Sequence, residues 1–230
     1  MKKIKTVLLM LFISFPLLSQ ENINKFTTQD FLAMSPLSSP RISPDGTLIV
    51  YSFGEKEKWD SRANYNLWLI SPDGTKRIQL TNSDKNDRNP LWSPDGSKIA
   101  FSSNRSGKSQ VHVIALSGGE SQQVTFAENG VSSYKWIDNT TIAFISTVAR
   151  DSDLVKAEEE AGGGYIVGTK ATTSNLWIQS LTDKNDTKKI TDGTYYIMDM
   201  CPSPDGKYFV MTTSRNSDLY NQITDNMVRL

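Results

Sequence analysis

The chain is poor in residues that do chemistry. One cysteine, Cys201, and one histidine, His112, stand among 230 residues. A single cysteine excludes an internal disulfide and a thiol-built metal site. A single histidine allows at most one imidazole base, and no Gly-x-Ser-x-Gly elbow accompanies it. Gly119-Glu120-Ser121-Gln122 begins like that elbow but continues with Gln123. His112 lies between Val111 and Val113 and reads as an ordinary strand residue. Basic and acidic residues balance at 25 each, with no basic run, which argues against a nucleic-acid partner. No phosphate-binding loop is visible. After residue 20 no apolar stretch is long enough to span a bilayer.

What the chain does have is a repeated turn. Ser-Pro-Asp-Gly occurs four times, at 43–46, 71–74, 93–96 and 203–206. Proline presets the turn, serine and aspartate bond back to the backbone, and glycine supplies a positive φ. Three copies feed the same kind of strand: Leu48 to Tyr51, Ile99 to Phe101, and Tyr208 to Met211. The copy at Ser71 lies between a third and a fourth strand and marks a second hairpin. Trp136-Ile137-Asp138-Asn139 replaces the tetrapeptide, one residue short, before Ile142-Ala143-Phe144. Fourth strands end in Leu80-Thr81, Val124-Thr125 and Ile190-Thr191.

Four antiparallel strands every 40 to 45 residues is the spacing of a β-propeller blade. A sandwich is the rival, but it gives no reason for blade-length copies. The expected fold is all-β: a β-propeller of about four four-stranded blades forming an open partial ring. The blades fall at about 36–81, 88–125, 132–191 and 196–230, so the propeller spans 36–230. An insertion at 149–173 interrupts the third. The last outer pair is expected to be compressed, at Leu219 to Ile223 and Met227 to Leu230. An open ring leaves a face of the first and fourth blades uncovered, and such a chain is expected to be marginally stable alone.

Residues 1–20 read as a secretory signal, with Lys2, Lys3 and Lys5 ahead of the apolar run Val7 to Leu18. An uncleaved anchor is the alternative. Cleavage removes three lysines and no acid, leaving a net charge of −3 and an exported protein free of the membrane. Residues 21–35 are a lead-in, with a short capped helix at Thr27 to Met34. Asp151 to Ala161 is helix-like and acidic, followed by Gly162-Gly163-Gly164. Cys201 reads as a buried apolar residue. Trp68, Trp92, Trp136 and Trp177 occupy repeat positions and are expected to pack blade on blade, while Trp59 lies in a charged loop. The aspartates at 45, 73, 95 and 205 are explained by turn chemistry and do not assemble a calcium shell. No metal and no cofactor is expected.

The run from Phe26-Thr27-Thr28-Gln29-Asp30-Phe31-Leu32 through Ser39-Pro40-Arg41-Ile42-Ser43-Pro44-Asp45-Gly46 resembles the start of a prolyl oligopeptidase-family serine peptidase. The acylaminoacyl-peptidase and dipeptidyl-peptidase branch is the most similar. The resemblance covers nearly the whole chain after residue 20. It implies an exported, periplasmic or secreted enzyme whose larger propeller gates peptide access to an α/β-hydrolase domain in cis. The chain has neither the elbow nor a second histidine, so by this resemblance it lacks the triad, has no catalytic residue and is inactive alone. The resemblance also points to Glu158 and Glu159, since in the dipeptidyl-peptidase branch a glutamate pair on a propeller insertion holds the substrate's amino terminus. A solvated helix face is the alternative for these acids. The rival for the whole chain is a non-catalytic periplasmic binding propeller of the Tol-system type, and blades joined to an amidohydrolase are a third possibility.

Overall fold

The computed structural model describes residues 26–58, 60–149, 152–160, 173–192, 195–214 and 224–229. They divide into two units between Met34 and Ser35. The first holds helix α1, Thr28–Ala33. Its start is set by a capping box: the Asp30 backbone N–H donates to Thr27 Oγ1 at 3.1 Å, and the Thr27 N–H donates to Asp30 Oδ2 at 2.8 Å.

The second unit is built of antiparallel sheets. The first contains β1 (Leu37–Ile42), β2 (Ile49–Glu55), β3 (Asn64–Ile70) and β4 (Arg77–Gln79). The second contains β5 (Asp87–Trp92), β6 (Lys98–Ser103), β7 (Gln110–Ala115) and β8 (Gln122–Gln123). The third contains β9 (Ser133–Trp136), β10 (Thr141–Thr147), β11 (Ser174–Ser180) and β12 (Thr187–Lys189), with helix α2 (Ser152–Glu160) inserted between β10 and β11. The fourth contains β13 (Tyr196–Pro202), β14 (Tyr208–Ser214) and β15 (Thr224–Arg229). In every sheet the strands lie in chain order, as a meander.

The fourth sheet corrects one expectation. Met227 to Leu230 was expected to end the sheet as a fourth strand, after a third at Leu219 to Ile223. The strand Thr224–Arg229 pairs directly with β14, Tyr208 opposite Arg229 and Thr213 opposite Thr224, so it is a third strand. Residues 215–223 and 230 lie outside the described residues.

The turn explains its own sequence. In all four copies the serine hydroxyl donates to the aspartate Oδ1 at 2.5 to 2.6 Å. That oxygen accepts the N–H two residues on, and the serine oxygen accepts the N–H five residues on at 3.0 Å. The glycine N–H closes the turn on the serine carbonyl at 2.9 Å. Gly46, Gly74, Gly96 and Gly206 all have φ between 68° and 75°, where a side chain is strained. The substitute turn keeps the aspartate: Asp138 Oδ1 accepts the Thr140 N–H at 2.7 Å.

The recurring threonine has an equally specific job. Leu80, Val124 and Ile190 each donate an N–H to the third strand, at Leu67, Val111 and Leu176. The N–H groups of those three residues then meet no fourth-strand carbonyl. They donate instead to the hydroxyls of Thr81, Thr125 and Thr191 at 3.0, 2.8 and 2.9 Å. The side chain supplies the last rung of the ladder where the strand departs.

Three apolar cores join successive sheets. Val50, Leu67 and Leu69 pack on Ile99, Phe101 and Ile114. Ala100, Val111 and Val113 pack on Tyr134, Trp136, Ile142 and Phe144. Ala143, Ile145 and Leu176 pack on Ile197, Met200, Phe209 and Met211. Among the described residues no core joins the fourth sheet back to the first, so the ring is open. Two tryptophans bond across the seams as well: Trp92 Nε1 donates to Arg41 O at 2.9 Å, and Trp136 Nε1 to Leu91 O at 3.1 Å. Ile42 and Pro202 hold this position in the first and fourth sheets.

The faces at the two ends of the run differ from the seams. Tyr51 stands opposite Trp68, as Phe144 stands opposite Trp177. In the third sheet that aromatic pair packs on the preceding sheet. In the first it is roofed by Arg77, whose guanidinium lies 4.2 Å from the Trp68 ring centre and whose Nε donates to Tyr51 Oη at 3.0 Å. At the other end Met198 and Val210 are each 48% exposed. Cys201 pairs opposite Val210 and is exposed with them, not buried as expected, because no sheet among the described residues covers that face.

Candidate functional site

The insertion is where the third sheet departs from the repeat. The chain leaves β10 through Val148 and Ala149, forms α2 and returns at Thr173, whose carbonyl accepts the Val148 N–H at 2.9 Å. Glu158 lies in α2, while Glu159 and Glu160 on the same helix are exposed. Carboxylates at an exposed position suit an ammonium group.

Val148 and Ala149 also line a cavity of about 430 Å³. Its aromatic wall is Phe144 stacked on Trp177, with ring centres 6.3 Å apart and planes 9° apart. Phe126, 64% exposed, adds a further apolar surface. Ser146, Asn129 and Asn175 supply polar groups, and Asn129 Nδ2 is held by Thr147 O at 3.2 Å. An apolar hollow with a few oriented amides suits a side chain of a bound molecule. The signal for Phe126 was available in the sequence: it follows the closing threonine where the other repeats have Asn82 and Asp192.

His112 is buried, with its ring centre 5.7 Å from that of Phe101. Among the described residues neither of its nitrogens has a hydrogen-bond partner, and no serine hydroxyl of theirs pairs with it. The turn aspartates are spent on their own turns, and hydrogen bonds hold the carboxyls of Asp45, Asp73, Asp95 and Asp205 below the usual carboxylate range. Among the described residues no three His, Cys, Asp or Glu side chains converge as a metal site would require. Trp59 lies outside the described residues.

Antiparallel sheets packed face to face in chain order, three of the four on the same first hairpin turn, define a β-propeller protein. The chain belongs to the TolB beta propeller domain family, whose model matches residues 33–176. Dipeptidyl-peptidase 5 of Porphyromonas gingivalis is 26% identical over 227 residues, covering 84% of this chain and 33% of that protein. The uncharacterized peptidase YuxL of Bacillus subtilis is 26% identical over 171 residues, covering 74% of this chain and 25% of that one. The acylaminoacyl peptidase of Pyrococcus horikoshii superposes with a TM-score of 0.59 at 17% identity, over 87% of this chain and 32% of that chain. The likeness to the last is one of fold. The chain thus spans a quarter to a third of the length of these two curated relatives. Among the described residues no helix is long and apolar enough to cross a membrane.

Proposed function

We propose that this chain is the amino-terminal propeller portion of an exported serine peptidase of the prolyl oligopeptidase family. Its role is to gate peptide access to an α/β-hydrolase domain carried by the same polypeptide, and alone it is inactive. The observation that carries this reading is the pair of relatives named as peptidases, each matched over most of this chain but only a minor share of its own length. A propeller beside a hydrolase excludes large substrates and leaves the bond-breaking groups elsewhere. The cavity at Phe126, Phe144 and Trp177 receives an apolar side chain of the peptide, and Glu158 and Glu159 meet its amino terminus.

The test uses the whole protein. It is expected to cleave short peptides and to spare casein, and equal cleavage of both rejects gating. Glu158→Gln with Glu159→Gln is expected to raise KM for peptides with a free amino terminus and to leave acylated peptides unaffected. Unchanged KM for both dismisses the glutamates. The second reading, a non-catalytic binding propeller of the Tol type, draws on the family match itself. It predicts that no extended form hydrolyses peptides.

A further inference from the structure

The seam between the first and second sheets differs chemically from the other two. At one register position the third strand carries Trp68 and Trp177 in the first and third sheets, opposite Tyr51 and Phe144. In the second sheet the same position, opposite Phe101, holds His112. Phe101 belongs to the core shared with Val50, Leu67 and Leu69, so the imidazole on its face is turned toward the first sheet. His112 is 5% exposed, and its two ring nitrogens meet no partner among the described residues.

It is not the only unsatisfied group there. Ser103 lies two residues beyond Phe101 on the same face and pairs across the strands with Asp87. Ser103 Oγ and Asp87 Oδ1 are buried without a partner among the described residues. Ser52 Oγ, two residues from Val50 on the facing sheet, is in the same condition. The other oxygen of Asp87 accepts Arg105 Nη2 at 2.5 Å, and that guanidinium lies 5.7 Å from the Phe101 ring centre. Buried polar atoms without partners are rare in folded proteins. Several in one seam, with a titratable ring where the repeat puts an indole, mark a joint close to admitting water.

We propose that this seam is an acid-sensitive joint: protonation of His112 loosens the contact between the first and second sheets and lets water reach Ser52, Asp87 and Ser103. The charged groups facing the imidazole are Asp87 from β5 and Arg105 from the connection between β6 and β7. The first sheet faces the seam with Val50, Ser52, Leu67 and Leu69, and with Tyr65 beneath Arg88, 3.7 Å from its ring centre. Burial, and then Arg105, hold the His112 pKa below its ordinary value of 6.5, while Asp87 acts the other way. The sign follows from linkage. An unfolded or opened chain takes up the proton near pH 6.5 and the closed seam resists it, so the contact is at full strength above that pH. It weakens as pH falls below 6.5, until the closed seam's own lower pKa is passed. Each unit of depression is worth about tenfold in the opening equilibrium.

The test is amide hydrogen exchange on the chain, corrected for intrinsic rates. Residues 99–103 and 110–114 are expected to lose protection below about pH 6.5, while residues 142–146 of the third sheet keep theirs. His112→Phe, which restores an aromatic ring to the repeat position, is expected to abolish that difference. Equal pH dependence in wild type and variant, or none in wild type, overturns the proposal. Should His112→Phe fail to fold, the imidazole proton resonances of the wild type decide: a titration midpoint below 6.5 is expected, and one at or above it refutes the joint.

Discussion

Replacing Thr125 with valine removes one hydroxyl and almost no volume, which isolates the hydrogen-bonding role of the closing threonine. Thr125 is fully buried. Its oxygen accepts the Val111 N–H at 2.8 Å and its proton goes to Gln110 Oε1 at 2.8 Å. The Gln110 oxygen keeps a second donor, the Ala127 N–H at 3.1 Å, so its loss is partial. The Val111 N–H has no alternative and is left buried and unpaired. An orphaned buried amide costs roughly 1–3 kcal/mol, and about 2 kcal/mol is the central expectation. In a chain of this size that lowers the melting temperature by about 4–8 °C. Urea unfolding followed by circular dichroism measures it directly. Thr47→Val is the control, since its hydroxyl serves an exposed turn, and it should change stability by less than about 0.5 kcal/mol. If Thr125→Val costs no more than Thr47→Val, the hydroxyl is not the last rung of the ladder.

Further outcomes test other parts of the account. Trp136→Phe loses the bond to Leu91 O across a seam and should cost about 1–3 kcal/mol, seen as a lower urea midpoint. An unchanged midpoint argues that Trp136 serves the seam through the packing of its ring and not through its N–H. Gly96→Ala forces a Cβ onto a residue with φ of 71° and should cost about 1–2 kcal/mol, and a neutral result would mean the turn relaxes freely. The Asp95 carboxyl is held down to about 2 by the Ser93 hydroxyl, and then by the backbone N–H and hydroxyl of Ser97. A folded-state pKa below the unfolded one adds stability that is present above about pH 4 and lost as pH falls through about 2. Asp95→Asn should therefore lower the urea midpoint at neutral pH and converge on wild type in acid. A constant gap at all pH values would contradict the role.

The repeat was legible because it is local chemistry. The four tetrapeptides announce four turns, and the strands behind them follow from apolar and aromatic runs. The threonines after Leu80, Val124 and Ile190 were visible as a pattern, but their bonds to the third strand were not. A side chain standing in for a departing strand is defined only by the pairing. The end of the fourth sheet was misplaced because Met227 lies in a segment without a turn motif ahead of it, so nothing fixed the register. A place on the innermost strand argues for a buried Cys201, but its exposure depends on which face a neighbouring sheet covers. Of the candidate site, the acidic stretch in α2 was legible as a break in the repeat. The cavity was not, because Phe126, Phe144 and Trp177 come from three separate segments that only packing brings together.

The most direct measurement of the central claim is peptide hydrolysis by this chain and by a longer polypeptide that continues into the proposed hydrolase domain. With peptide nitroanilides the longer form should turn over and the 230-residue chain should not. Turnover by the shorter chain, or none by the longer one, would contradict the assignment of gating to the propeller and of catalysis to a partner domain in cis.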